Sequence, residues 1–434
     1  MKTLAIISFL IVSHVINGFT EGIQGNYLYR CNEKLTEIIM EDVFNPPQAS
    51  RVHAYPNIAA YEVLSKKYKT LRSLAGQLNE LTPVDKPSDK VDYSLSALVA
   101  FSSVARYLVY SEFMIDDFEK KEFSDWMSSN KGDSSLFRKS VDYGNKVADH
   151  IIAWIKNDNY NYTRTLSRYV LSDTAGAWRP TAPDYASALE PNWPLMRSLV
   201  MDSTTKIKSI PPVEYSEDTS SAYYKYAIDL YSQSMELDST KKLIASFWDC
   251  NPNITKSAGH LMYFIHKVSP GGHWVRITGQ ACKNLGFDEY KTTQVYTTMT
   301  IGLYEAFLAC WKVKYVANGL RPETYINKLI APKWGPFIET PPFPEYTSAH
   351  STMSSVSATI LTELIPQPYE FTDSSEMYID LPPRHFKSFR EASNEASISR
   401  FYGGIHYMPA LNNAIEHGKD IGNYILRKIK LTEK

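Results

Sequence analysis

Long apolar runs, blocks of one charge and closely spaced cysteines are all scarce in this 434-residue chain, and each scarcity closes off a class of protein. The longest apolar run, Leu4 to Val12, falls well short of the roughly 20 residues a membrane-spanning helix needs, so no spanning segment is expected. Formal net charge is −1, from 46 basic and 47 acidic residues with no Lys/Arg block. The electrostatic footprint of a nucleic-acid binder is therefore missing. Four cysteines, Cys31, Cys250, Cys282 and Cys310, stand too far apart in sequence for the close cysteine pairs of structural zinc sites. They leave up to two disulfides open, with no choice among the pairings, beside the plainer reading of buried thiols in a core that needs no staples. Walker loops, Rossmann glycine turns, His-Glu-x-x-His helices and serine-hydrolase elbows are absent, as are internal repeats and low-complexity tracts.

What is present begins with Lys2, the apolar run and the small residue Gly18, the order of a secretory signal peptide. Residues 1–18 are expected to be that peptide and 19–434 a single α-helical domain, exported in soluble form and so secreted or periplasmic. Apolar residues three and four apart mark helices over Asn32–Val43, Tyr93–Tyr110, Leu136–Ile155, Ser220–Met235 and Asn412–Ile429, while two-residue alternation is scarce. An all-α fold follows. Proline-rich connections at Trp178–Trp193, Ile210–Pro212 and Pro332–Pro344 keep large aromatics, as loops do when they pack on a scaffold and line a site.

Three cationic elements stand out in the C-terminal third. Met299, Leu303, Phe307 and Cys310 form one apolar helix face, and Lys314 is the next position on it. Arg321 lies two turns further, and the spacing predicts that it projects from the same side until Pro322 ends the helix. The plainer alternative has Lys314 reaching solvent and Arg321 capping carbonyls. Next comes Pro344-Glu345-Tyr346-Thr347-Ser348-Ala349-His350 before a helical run, with Thr347 or Ser348 as N-cap. A helix N-terminus with unpaired N–H groups suits an anion, and His350 sits in its first turn; an ordinary capped helix with a surface histidine is the alternative. Last, Phe389, Ser393, Ala396 and Arg400 share a face, and Gly403-Gly404 let the chain bring His406 back toward Arg400. A buried arginine paired with a carboxylate would be the bland explanation. His273, beside Trp274, lines a pocket or is a satisfied core histidine.

Lys-x6-Arg-Pro, Ser-x-His and Ser-Arg-x5-His in this order resemble the three-part signature of the vanadium haloperoxidase and type 2 phosphatidic-acid phosphatase superfamily. Upstream, Val43 to Pro47, Gly176 to Pro183 with Pro191-Asn192-Trp193, Phe247-Trp248 and Gly272-His273-Trp274 resemble haloperoxidase segments, as does Pro341-Pro342-Phe343-Pro344. The resemblance implies two packed four-helix-type bundles and a cradle for vanadate, or for phosphate in the phosphatase branch, made by Lys314, Arg321, Ser348, Ala349 and Arg400. It further implies that His406 binds vanadium and His350 moves protons, so that hydrogen peroxide oxidises iodide or bromide to a hypohalous species. A secreted acid phosphatase acting on a phosphoester through a phosphohistidine at His406 is the alternative, and a non-catalytic oxyanion binder a third. Halide preference, organic acceptor and any homo-oligomer are not specified by the residues. Three departures stand out: Thr347 replaces the usual proline, Ala349 the usual glycine, and Ala410 the aspartate that closes the third motif. Without that carboxylate, Asn412, Asn413 or Glu416 are the candidates to orient His406.

Overall fold

The computed structural model describes residues 27–202, 207, 209–252, 254–258 and 261–432, with 254–258 and 261–265 described through their backbone alone. The expected signal peptide at 1–18 lies outside the described residues. An N-terminal group holds α1 (Tyr27–Glu41), α2 (Pro46–Lys67), α3 (Tyr93–Leu108), α4 (Glu112–Ser129) and α5 (Ser134–Ile155). The middle of the chain adds α6 (Tyr160–Thr165), α7 (Ala222–Met235), α8 (Ser239–Phe247) and the antiparallel hairpin β1 (Ile254–Ala258) and β2 (Leu261–Ile265). Then follow α9 (Pro270–Asn284), α10 (Glu289–Ala317), α11 (Pro322–Leu329) and α12 (Ala349–Leu364). A second hairpin, β3 (Phe371–Asp373) with β4 (Arg384–Phe386), precedes α13 (Phe389–Tyr402) and α14 (Met408–Lys428).

The five helices expected from periodicity are α1, α3, α5, α7 and α14, and the all-α reading holds. Other helices hide their period because they are buried on every side. In α2 nearly every residue from Pro47 to Leu64 is buried, so no polar stripe reports the turn. Its start signal is chemical instead: the Asn45 side chain accepts from the Gln48 N–H at 3.0 Å, and Pro46 and Pro47 occupy the first turn, where the missing N–H groups are not needed.

In the N-terminal group α2 packs on α3, and α3 on α5; in the C-terminal group α12 packs on α13, α14 and α10. The 29-residue α10 also packs on α2, so it is the common wall of two helical bundles, as the resemblance implies. One apolar core runs through both, from Tyr27 to Leu431. All four cysteines are buried free thiols, Cys31, Cys282 and Cys310 within this core, so the reading of buried thiols holds over the disulfides.

Candidate active site

The C-terminal end of α10, the N-terminus of α12 and the C-terminal end of α13 converge on one cavity of about 120 Å³. Leu189, Phe307, Trp311, Pro342 and Phe343 give it an apolar wall, His350, Arg400 and His406 line its polar side, and the carboxylates Asp184, Asp249 and Glu339 also border it. The proline-rich loops thus do line a site, the Leu189 N–H donating to the Pro342 carbonyl at 2.9 Å to join two of them. The Ile210–Pro212 segment lines other grooves.

Lys314 is fully buried and does not reach solvent. Its Nζ donates to the carbonyls of Pro344 at 2.8 Å and Glu345 at 3.1 Å, and lies 4.9 Å from the Phe343 ring centre. Arg321 arrives by a different route from the one its spacing predicts. Helix α10 ends at Ala317 because Asn318 takes a left-handed conformation, and Arg321 is the N-cap of α11, which Pro322 opens rather than closes. The side chain still points inward. Its Nε donates to the Phe343 carbonyl at 2.9 Å, Nη1 to the Ile405 carbonyl at 3.0 Å and to His406 Nε2 at 3.2 Å, and Nη2 is buried without a partner. Arg400 continues the buried face of α13 as its spacing predicts, donating to Ser399 Oγ at 2.9 Å and to the Ala245 carbonyl at 3.3 Å.

None of the three cations forms an ion pair with a carboxylate within 4 Å among the described residues, so the bland reading of a paired arginine fails. The nearby Asp249 is engaged by Lys267 at 2.9 Å. Burial and mutual repulsion show in the proton equilibria. Burial, then Arg321, brings Lys314 down to about 7, and burial brings Arg321 down to about 10. Carbonyl oxygens satisfy hydrogen bonds but do not neutralise charge, and Glu345 and Asp249 act on the cations only from beyond ion-pair distance, so the cluster favours an anion.

The helix N-terminus supplies the remaining donors. Ser348 is the N-cap of α12, its Oγ accepting from the Ser351 N–H at 3.3 Å and from Ser351 Oγ at 2.9 Å, which leaves its own proton free to donate. Ala349 is the first helical residue, where a backbone N–H has no partner within the helix. His350 follows, half-buried at the cavity. One ring nitrogen bonds the Trp248 backbone and Nε2 is unpartnered. Burial first, and Arg400 next, hold its pKa well below the ordinary imidazole value.

His406 is brought in by the turn after α13. Gly404 has φ +81°, and a Cβ there would meet Pro336 at 3.1 Å, so glycine is required. His406 Nδ1 pairs with Glu345 Oε1 at 2.8 Å, while Nε2 faces Arg321 Nη1. Arginine only donates, so Nε2 must accept, Nδ1 carries the proton, and a lone pair faces the cationic cluster. Burial, then Arg321, Lys314 and Arg400, keep this imidazole neutral by lowering its pKa well below the usual value.

Glu345 was not anticipated from the sequence. Asn412, Asn413 and Glu416 do not serve as the expected orienting group: Asn413 donates to the Tyr346 hydroxyl at 3.1 Å instead. Where Ala410 leaves out a carboxylate, Glu345 supplies one from the opposite strand of chain, also accepting from the Tyr407 N–H at 3.2 Å. Burial pushes it up to about 7, although Arg321 and Lys314 pull it back. Its only sequence signal was being a carboxylate five residues before His350. His273 is fully buried and lies outside this cluster, stacked on Trp248 with ring centres 4.5 Å apart.

A crystal structure of the first bacterial vanadium-dependent iodoperoxidase is similar to this chain with a TM-score of 0.88 and 38% identity, over 95% of this chain and 98% of that one. The holo form of a bacterial vanadium-dependent chloroperoxidase gives 0.70 at 14% identity over 93% and 98% of the two chains. Its likeness is one of fold. So is that of an apo-type bacterial chloroperoxidase structure, at 0.64 and 13% identity over 87% and 94%. Residues 329–432 match the family description "VCPO second helical-bundle domain". No curated protein matches the chain.

Proposed function

This chain belongs to the vanadium-dependent haloperoxidases, and from that premise we propose that it oxidises iodide with hydrogen peroxide at the cavity described above. The observation that carries the assignment of the site is three buried cations with no carboxylate within ion-pair distance among the described residues, Arg400 lining the cavity and Lys314 and Arg321 set against its Phe343 and His406, with an imidazole whose Nε2 accepts from Arg321. Burying such charges uncompensated costs several kcal/mol per ion. A tetrahedral oxyanion such as vanadate removes that cost, and the donor set fits it.

In this reading Arg321 and Arg400 grip oxygens with forked N–H groups, Lys314 adds a point charge, and Ser348 Oγ and the Ala349 N–H complete the cradle. His406 Nε2 would hold the metal, and Glu345 orients that ring through Nδ1 as a positioning residue. Bound vanadate would supply Lewis acidity that makes peroxide oxygen open to attack by halide. His350 is neutral at ordinary pH, so its free Nε2 can take a proton from peroxide and return it to the departing oxygen. Phe343 fixes the position of two cations, Arg321 Cζ lying 5.0 Å and Lys314 Nζ 4.9 Å from its ring centre.

Iodide is proposed over bromide because it is the more easily oxidised and because the 38%-identical relative is an iodoperoxidase. The order of residues 2–18 supports an exported enzyme as part of the same proposal. The test is a side-by-side assay of the vanadate-loaded protein with peroxide and iodide, bromide or chloride, and of the vanadate-free protein with phosphoesters. Iodide oxidation should dominate. Phosphoester turnover without halide oxidation would make the site a phosphatase.

A further inference from the structure

Behind the wall of the oxyanion cavity lies a second cluster of opposite character. Cys250 follows α8, His273 sits in the first turn of α9, and Glu376 follows β3; all three are buried. Cys250 Sγ lies 3.4 Å and Glu376 Oε1 3.1 Å from the same atom, His273 Nδ1, and the three donor atoms lie within 4.8 Å of one another. The ring's other nitrogen, Nε2, is bound to Asp373 Oδ2 at 2.7 Å, and Asp373 is in turn held by the Ser375 N–H at 2.9 Å. Glu376 Oε1 accepts no hydrogen bond although it is shut off from solvent.

We propose that Cys250, His273 and Glu376 form a binding site for a zinc-class divalent cation, with Asp373 orienting the histidine from behind. Thiolate, imidazole and carboxylate are the donor types that a borderline-soft ion takes, and a carboxylate on the far nitrogen of a ligating histidine is the usual supporting contact. The spacing agrees. Zinc at about 2.3 Å from sulfur and about 2.0–2.1 Å from nitrogen or oxygen holds tetrahedral donors roughly 3.3–3.6 Å apart, which the two separations from His273 Nδ1 match to a few tenths of an ångström, while the thiol and carboxylate, within 4.8 Å of each other, would close on the ion by side-chain rotation. A buried carboxylate oxygen with no donor is otherwise a liability, and a cation removes it.

This cluster cannot be the vanadate site. Its donors are Lewis bases aimed inward, and an oxyanion there would meet a thiol and two carboxylates. Cys250 also lines the oxyanion cavity, and the Trp248 ring that stacks on His273 belongs to the residue whose backbone holds His350. The ion would therefore tie α9 and the β3 segment to the stretch of chain after α8 that walls the active site.

The test uses the full chain, stripped of metal with a chelator and titrated with cobalt(II) as the probe. One equivalent should bind with a near-ultraviolet thiolate-to-cobalt absorption band, be displaced by zinc, and raise the unfolding temperature. Cys250→Ser should abolish the band, and Asp373→Asn should weaken cobalt binding by about 10–100-fold. If Cys250→Ser does not fold, Glu376→Gln, which keeps the shape, decides: unchanged cobalt affinity overturns the site. Binding without a thiolate band, or no binding at all, overturns it as well. Vanadate uptake measured on the same samples separates the two sites, since a protein that takes vanadate but no cobalt keeps its proposed function and loses this inference.

Discussion

His406 and His273 are both buried imidazoles in the C-terminal half of the chain, and their surroundings are opposites. His406 is ringed by Arg321, Lys314 and Arg400, and its pKa falls well below the usual value, by burial first and these cations next. Burial alone would lower His273 too, yet Asp373 and Cys250 outweigh it and raise that group well above the usual value. Burial therefore does not set the charge of a core histidine; its neighbours do. The same contrast states what each region lacks. A ring among unpaired cations leaves room for an anion, and a ring among acids and a thiol leaves room for a proton or a metal cation.

The comparison breaks most completely at the histidines themselves. His406→Ala should abolish iodide oxidation in vanadate-saturated protein, whereas His350→Ala should retain vanadate and lose about 10²–10⁴-fold in turnover, the usual worth of a general acid–base group. Vanadate uptake by equilibrium dialysis beside initial rates separates the two roles. Retained activity in His406→Ala would remove that residue from the centre of the site.

How far this contrast was legible from residues alone follows from geometry. Lys314 and Arg400 were readable because each is a cation continuing an apolar helix face, and Ser348 because caps have a local chemistry. Arg321 was identified for a wrong reason: the left-handed Asn318 breaks the helix on which its spacing was counted. Glu345 was missed because its partner is 61 residues away in sequence, and no periodicity encodes a contact made across a turn. The acidic cluster was out of reach for the same reason, with 100 residues separating His273 from Asp373. Helix α2 escaped because burial on all sides erases the amphipathic signal.

Charge removal sharpens the contrast through its sign. Arg400→Met should weaken vanadate binding by about 2–5 kcal/mol, or roughly 30- to 4,000-fold, because an anion loses a buried donor. Without an oxyanion the same variant should be no less stable than the parent, since replacing a buried unpaired charge by an apolar side chain is often neutral or favourable. Asp373→Asn should do the reverse, destabilising the fold by up to about 3–5 kcal/mol because a charged His273 loses its hydrogen-bonded carboxylate and keeps only Glu376 nearby. Urea unfolding of both variants without ligand checks this. Destabilisation by Arg400→Met would mean that the cationic cluster is already compensated.

Smaller effects come from the group that aims the ligand. Glu345→Ala frees the His406 ring and should lower vanadate affinity about 10–100-fold. Glu345→Gln still accepts the Nδ1 proton and should recover most of that loss. Equal losses in the two variants would show that the carboxylate acts by its charge and not by orienting the ring.

The gentlest test is a pH slope, and it asks whether the cationic side is held together by protons it can lose. Lys314 is brought down to about 7 in the oxyanion-free protein, chiefly by burial and then by Arg321. Only its protonated form attracts an anion, and a bound anion raises its pKa, so binding takes up a proton above about pH 7. Affinity should then be flat below that pH and fall above it, approaching about tenfold per pH unit. Sulfate is the appropriate competitor because its own charge is constant over the range. Glu345, also pushed up to about 7 by burial, works in the same direction, since its ionisation places a negative charge beside the cradle. Arg321, at about 10, and His406, already neutral, do not titrate in that window. Two variants divide the slope between the two groups. Lys314→Met should bind sulfate weakly at pH 6 and lose most of the decline, whereas Glu345→Gln should keep it. A slope intact in Lys314→Met and absent in Glu345→Gln would transfer the titration to the carboxylate, and with it the control of anion entry from the lysine to the residue that orients His406.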